Sequence, residues 1–461
     1  MRRTAFTVAA TTAAVLALAA LQGQAVADGA ATTSPGPVTS ATRAAPAAWQ
    51  LQGKPLAGAA TTADAPAMAP AVTYRDTIAP GQTKFYGIAL DAASSAYASA
   101  FAVPAPGARV SYGDGVELEL LSADGSRCDS QNAHFGDEGD ARPIGTAVSR
   151  LIGVGSSCQD ANQYTLQVHR TSDATSDPGP WPLELRYVRE PPLKSGAGTP
   201  PDLGAAPGAT GTASPTPLTT GTTRQAEGGT GFETAAAVKT GIWQGRVLPG
   251  ETRFYKIPVD WGQRATVFAD FSSARITDSS VYIGSGVRLA VYSPVREFVD
   301  GDAKAYQGAP ASIGEQLAPV AYANRAADDE QVARVRYAGW YYLAVSVHPD
   351  VAKAVSGAVP VTLRIDVSGD ARPAPAYAGD PGAAGIGVHA RDLSAANGTA
   401  AGAGPPAESP LRVFAFGAMG AGTVLLLVLG AWYVTAGWRR PGRGTADAVP
   451  PGSGLGGRRA G

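Results

Sequence analysis

The sequence predicts an all-β ectodomain of two tandem β-sandwich domains, followed by one transmembrane helix near the C-terminus. Three observations predict it: strand-like alternation through the middle of the chain, a duplication of that middle, and an uncharged apolar run near each end. Val361, Leu363, Ile365 and Val367 alternate with Thr362, Arg364 and Asp366, the period of a strand with one buried face. Leu183, Leu185 and Tyr187 alternate with Glu184 and Arg186 in the same way, as do Val116, Leu118 and Leu120 with Glu117 and Glu119. Val287, Leu289 and Val291 complete the set. No long helical apolar stripe interrupts these segments, so short strands closed by turns point to a sandwich.

Taken in order, residues 1–27 read as a signal peptide. Arg2 and Arg3 give the positive start, Ala5 to Leu21 is apolar and uncharged, and Ala25-Val26-Ala27 supplies small residues for cleavage before Asp28. Residues 28–71 are an Ala/Pro/Thr-rich linker, 193–225 a second linker and 369–412 an Ala/Gly/Pro stalk, all poor in the large apolar residues that offset ordering entropy. They leave sandwich domains at 72–192 and 226–368.

The two segments repeat each other. Ile78-Ala79-Pro80-Gly81-Gln82-Thr83-Lys84-Phe85-Tyr86 returns as Val247-Leu248-Pro249-Gly250-Glu251-Thr252-Arg253-Phe254-Tyr255. Val116 and Leu118 match Val287 and Leu289, Tyr164 to Val168 matches Tyr341 to Val345, and Pro182 to Arg186 matches Pro360 to Arg364. Four ordered matches mark a duplication. A Pro-Gly turn, a Phe-Tyr strand, an alternating strand after Gly-x-Gly, and a strand such as Gly339-Trp340-Tyr341-Tyr342-Leu343 together resemble the bacterial pre-peptidase C-terminal domain. The resemblance implies a jelly-roll-like sandwich of the kind appended to secreted hydrolases and surface proteins. This chain departs from that setting because no hydrolase domain accompanies the sandwiches.

Residues 413–438 form the second apolar run. Without a charge from Val413 to Trp438, it would span roughly 39 Å as a helix, against a bilayer core of about 30 Å. Arg439, Arg440 and Arg443 follow it, so the tail, 439–461, is predicted to be cytoplasmic and the remainder external, a single-pass type I arrangement in the cell membrane. Richness in Ala, Gly and Pro suits a GC-rich, actinobacterial source.

Chemistry is sparse. Cys128 and Cys158 are the only cysteines, an even count in an exported region, and are expected to form a disulfide. Asp124, Asp129, Asp137 and Asp140, with Glu138 and Asn132, crowd the loop around Cys128 and offer oxygen ligands for calcium, the one cofactor considered. Trp243, Trp261, Trp340, Tyr341 and Tyr342 read as core rather than as a binding face. His134, His169, His348 and His389 show no recurring ligand spacing, and metalloprotease, nucleophile-elbow and phosphate-loop motifs are missing. A formal net charge of −1 argues against nucleic acid. The expected function is non-enzymatic: a cell-surface protein displaying two binding or scaffolding sandwiches to a protein or cell-wall partner. An envelope peptidase or hydrolase, or an accessory subunit of one, is the alternative. Flexible linkers further predict two independent modules.

Overall fold

The same tight turn opens both copies and fixes where their strands begin. Ala79 O accepts from Gln82 N at 3.1 Å and Leu248 O from Glu251 N at 2.9 Å. Gly81 and Gly250 sit at φ +67° and +85°, the conformation a type II turn needs after proline. The side chains of Gln82 and Glu251 close the turns by accepting from Ala79 N and Leu248 N, both at 2.9 Å.

The computed structural model describes residues 45–136, 139–154, 157–195 and 215–398. The expected signal peptide, transmembrane helix and basic tail lie outside the described residues, as do Asp137 and Glu138. Among the described residues no helix is long and apolar enough to cross a membrane.

Eight principal strands build the first sandwich: β1 (Thr73–Ile78), β2 (Thr83–Leu90), β3 (Ser95–Ala102), β4 (Gly115–Leu121), β5 (Arg127–His134), β6 (Ile144–Arg150), β7 (Asn162–Thr171) and β8 (Trp181–Glu190). They form two sheets, ordered β1-β8-β3-β6 and β2-β7-β4-β5. The second sandwich contains β9 (Gly241–Val247), β10 (Thr252–Val259), β11 (Arg264–Phe271), β12 (Val287–Tyr292), β13 (Phe298–Lys304), β14 (Ala311–Gln316), β15 (Gly339–Val347) and β16 (Val359–Ser368). Its sheets run β9-β16-β11-β14 and β10-β15-β12-β13, strand for strand the order of the first and that of a jelly roll. The alternations read from the sequence hold: Val116, Leu118, Val287, Leu289, Leu183 and Ile365 are fully buried between the sheets.

Each repeat begins earlier than composition suggests. Lys54–Pro55 pairs in parallel with β1 and Thr223–Gln225 with β9. Ala67 then meets Gly87 on β2, and Ala236 meets Tyr255 on β10. Residues 54–71, expected as linker, are therefore the leading edge of the first sandwich. Edge pairing satisfies backbone donors and acceptors without large side chains, so an Ala-rich stretch can do it.

The stalk assignment also changes. Within 369–398, Tyr377 bridges Leu193, and Lys194 N donates to Ala376 O at 2.8 Å beside the exit of β8. The chain then returns to the second sandwich, where Ile386 bridges Gly339 and a helix, Ala390–Ala396, lies against β10.

The expectation of independent modules fails at β3. All eight of its residues are buried, so both of its faces are covered. Ala96, Ala98, Ala100 and Ala102 face the core of the first sandwich, whereas Tyr97 and Phe101 point outward into clusters shared with the second. The outer face of the β1-β8-β3-β6 sheet packs on the outer face of the β10-β15-β12-β13 sheet.

Candidate functional site

The junction between the sandwiches holds a concentration of charge, arranged around four carboxylates, of which Glu184, Glu190 and Glu297 are buried. Glu184 on β8 accepts from Arg296 Nη1 at 2.6 Å, and Arg296 Nη2 reaches Glu233 at 2.6 Å. The Arg296 guanidinium lies 4.8 Å from the centre of the Phe232 ring. Burial pushes the Glu184 carboxyl above its ordinary range, opposed by Arg296. Burial acts on Glu233 in the same sense, yet Arg296, Thr73 and Arg186 hold it below that range.

Glu190, at the end of β8, accepts from Tyr97 OH at 2.6 Å, Tyr377 OH at 2.8 Å and Arg325 Nη2 at 2.9 Å. Those donors come from the first sandwich, the former stalk and the second sandwich respectively. Burial, then the neighbouring Glu190 charge, drives the Tyr97 and Tyr377 hydroxyls far above their usual range, so both remain donors. Glu297 accepts from Tyr337 OH at 2.8 Å and pairs with Arg336 at 2.9 Å. Tyr97 and Tyr337 meet edge to face at 5.1 Å. Each buried carboxylate has at least one cationic partner, the condition under which buried charge is tolerated.

An aromatic cluster completes the junction. Phe232 contacts Phe101 at 4.8 Å, Tyr342 at 5.0 Å, Phe254 at 5.1 Å and Trp49 at 5.4 Å. Trp49, in the stretch assigned to a linker, is only 8% exposed.

A groove of about 290 Å³ opens at one mouth of this junction. The Cys128–Cys158 disulfide, Asp129, Gln131 and Ser149 line it from the first sandwich, and Glu330 and Arg334 from the second. The disulfide is formed as expected, with Cα atoms 5.8 Å apart across a separation of 30 residues. Arg150, 2% exposed, shapes the wall by donating to the carbonyls of Cys158, Gln159, Asp160 and Asp91. Arg334 reaches across to Gln131 Oε1 at 3.5 Å.

Among the described residues, Asp124, Asp129 and Asp140 each have their own partners and do not converge. Asp124 caps its own turn by accepting from Ser122 and Ser126, bonds that hold its carboxyl below the usual range. Asp129 Oδ2 accepts from Ser149 N at 2.6 Å and Oγ at 3.2 Å, and Asp140 pairs with Arg142. Among the described residues no three His, Cys, Asp or Glu side chains gather to hold a metal ion. The histidines are dispersed too: His134 bonds Gly113 O, His169 bonds Thr83, His348 accepts from Asp350 N, and His389 caps the helix Ala390–Ala396.

Of the aromatic set, Trp243, Trp261 and Tyr341 are core, as expected. Trp340 and Tyr342 point the other way. Trp340 stacks under Lys256 at 5.0 Å and donates to Asp392 at 3.1 Å, while Tyr342 joins the junction. The junction residues were missed because sequence reading followed the buried phase of each strand. The available signal was Tyr97 and Phe101 at the outward phase of a strand whose inward phase is all alanine.

No protein-family model matches the chain, and no curated protein matches it. Solved structures with remote likeness include the CUB1-EGF-CUB2 domain of human MASP-1/3, at 8% identity and a TM-score of 0.15, covering 64% of this chain and 99% of that one. The ANX1 ectodomain from Arabidopsis thaliana is similar at 8% identity and a TM-score of 0.16, covering 64% and 88%.

Proposed function

We propose that this chain is a non-enzymatic surface protein, exported and anchored by the 413–438 segment, whose two sandwiches act as one rigid unit that engages a protein or cell-wall partner outside the membrane. The groove beside the disulfide is the surface assigned to that partner. One observation carries the reading: residues of both sandwiches line the groove, and a buried ionic and aromatic junction holds them in fixed register behind it. A disulfide suits an oxidising compartment. The N-terminal signal sequence and the resemblance to pre-peptidase C-terminal domains favour the same setting.

Capture from intact cells tests the proposal. The full chain carrying a photo-crosslinker at Gln131 should yield a discrete adduct with an envelope component, and Arg334→Glu should abolish it without changing the melting temperature. An adduct unaffected by that reversal, or none, counts against the groove. Topology is tested separately. A reporter cysteine can be placed at Ala383, which is exposed beside the buried Ala384. It should react with an impermeant reagent on intact cells, and one at Ala446 should not.

A further inference from the structure

We infer that the junction contains a discrete binding site for an extended segment with an indole anchor, and that residues 45–52 are a separable strap occupying it. The walls of the site belong to both sandwiches. Trp49 lies 6.2 Å from Phe101 of the first, and 5.1 Å from Phe254 and 5.4 Å from Phe232 of the second. Gly231 provides the opening: a Cβ there would collide with the indole Nε1 and ring carbons. Glu184 lies against the same indole and the backbone of Gln52.

The strap is attached differently from the chain that follows it. From Lys54, which pairs with Tyr74 of β1, the backbone joins the sheet, and Leu56 N–H donates to Arg75 O at 3.1 Å. Before Lys54 its bonding to the sandwiches is side-chain mediated, as where Ala47 N donates to Glu251 Oε1 at 3.1 Å. Gly53 separates the two regimes at φ +99°, with Thr73 O so close that a Cβ would strike it. A positive-φ glycine between a paired strand and a side-chain-anchored segment is a suitable pivot. Composition agrees: in Ala45-Pro46-… to Gln52 only Trp49 and Leu51 are large and apolar. Nearly all the recognition therefore rests on one ring, the pattern of an anchor residue in a preformed pocket.

The inference goes beyond the proposed function, because the strap site is distinct from the disulfide groove. Its test uses the full chain with Trp49→Ala, which empties the site, and a fluorescent peptide of residues 45–52. The peptide should bind this variant, and a peptide with alanine at the Trp49 position should bind at least about 100-fold more weakly, in line with the loss for truncating a buried tryptophan. Wild-type chain, already filled in cis, should bind the labelled peptide far more weakly than the variant does. Equal binding by wild type and variant, or equal binding of the two peptides, would overturn the inference. Should Trp49→Ala fail to fold, a specific protease site placed at Gln52-Gly53 replaces it. After cleavage the strap should remain bound and be displaced by excess peptide 45–52. A strap lost at once on cleavage, or never displaced, overturns the inference equally.

Discussion

The two sandwiches share a strand order and differ in what their outer faces carry. On the first, the outward positions of β3 and β8 are Tyr97, Ser99, Phe101, Glu184, Arg186, Val188 and Glu190. The equivalent positions on β11 and β16 are Thr266, Phe268, Asp270, Thr362, Arg364, Asp366 and Ser368. Tyrosine has become threonine, and phenylalanine and valine have become aspartate. The opposite sheets show the reverse bias. Phe254, Ala290, Tyr292, Trp340 and Tyr342 of the second copy stand where the first has Phe85, Glu119, Leu121, Gln163 and Thr165. Each copy thus engages the other through one outer face only, and the two engaged faces are on non-equivalent sheets. A head-to-tail contact of this kind joins two copies of one fold without using the same patch twice. Duplication supplied the sandwich, and divergence of outward positions made one body of the pair.

The largest effect should come from breaking the inner face that both copies retain. Leu363→Asp places an unpaired charge in the second core, at a cost of about 4 kcal/mol or more. Because the first sandwich leans on the second, limited proteolysis should then degrade both. Survival of a resistant fragment near 54–192 would show that the junction contributes little.

The junction comes next. Arg296→Met leaves Glu184 and Glu233 without their shared cation and should cost about 3 to 5 kcal/mol. Arg364→Met, on the partly exposed equivalent face of the second copy, should cost about 1 kcal/mol. Chemical denaturation of both variants reads the contrast directly, and similar losses would contradict the division of faces.

Removing the disulfide acts on one copy alone. Cys128→Ser with Cys158→Ser opens a loop of 30 residues and should cost about 3 to 4 kcal/mol in the chain-entropy picture. Hydrogen exchange should rise around β5 and the loop after β6, with the strands of the second copy little changed.

The smallest effect separates the copies by pH. Glu315 lies on β14 opposite Val267, at the position where the first copy has the core residue Val148 opposite Ala98. Burial, then Asp300 and Asp302, pushes its carboxyl up to about 8. The folded state therefore binds this proton more tightly than the unfolded chain does, and stability falls as pH rises from about 4.5 to about 8. Glu315→Gln should remove most of that decline, leaving the mutant relatively more stable at pH 9 than at pH 5. Parallel wild-type and mutant pH profiles would show that Glu315 is not the group responsible.

The inner faces were legible because burial on one side of a strand imposes an unmistakable period, as at Val361 to Val367. The turns were legible because Pro-Gly at 80–81 and 249–250 has few other uses. Outer faces were not, since alternation identifies which residues share a face and says nothing about what lies opposite it. Tyr97 and Phe101 were the clue, because alanine took the inward places of β3. Composition misassigned 45–71 and 369–398 for a different reason. A segment can be ordered by a few large anchors, here Trp49, Met68, Tyr377 and Ile386, with edge hydrogen bonds supplying the remainder. The disulfide followed from a count of two. The groove beside it needed the junction, and so lay beyond any single-strand pattern.

The return of residues 369–398 to both sandwiches also has a mechanical meaning. A pull arriving from beyond residue 398 would otherwise peel β16 from its C-terminal end, opening ladder bonds one at a time. It must first strip the helix Ala390–Ala396 from β10, then the Ile386 bridge to β15, then Tyr377 from Glu190 and Leu193. The tail is thus released in steps, against contacts on both domains, before tension reaches the strand between β9 and β11, so a tethered unit would give up its tail before either sandwich opens.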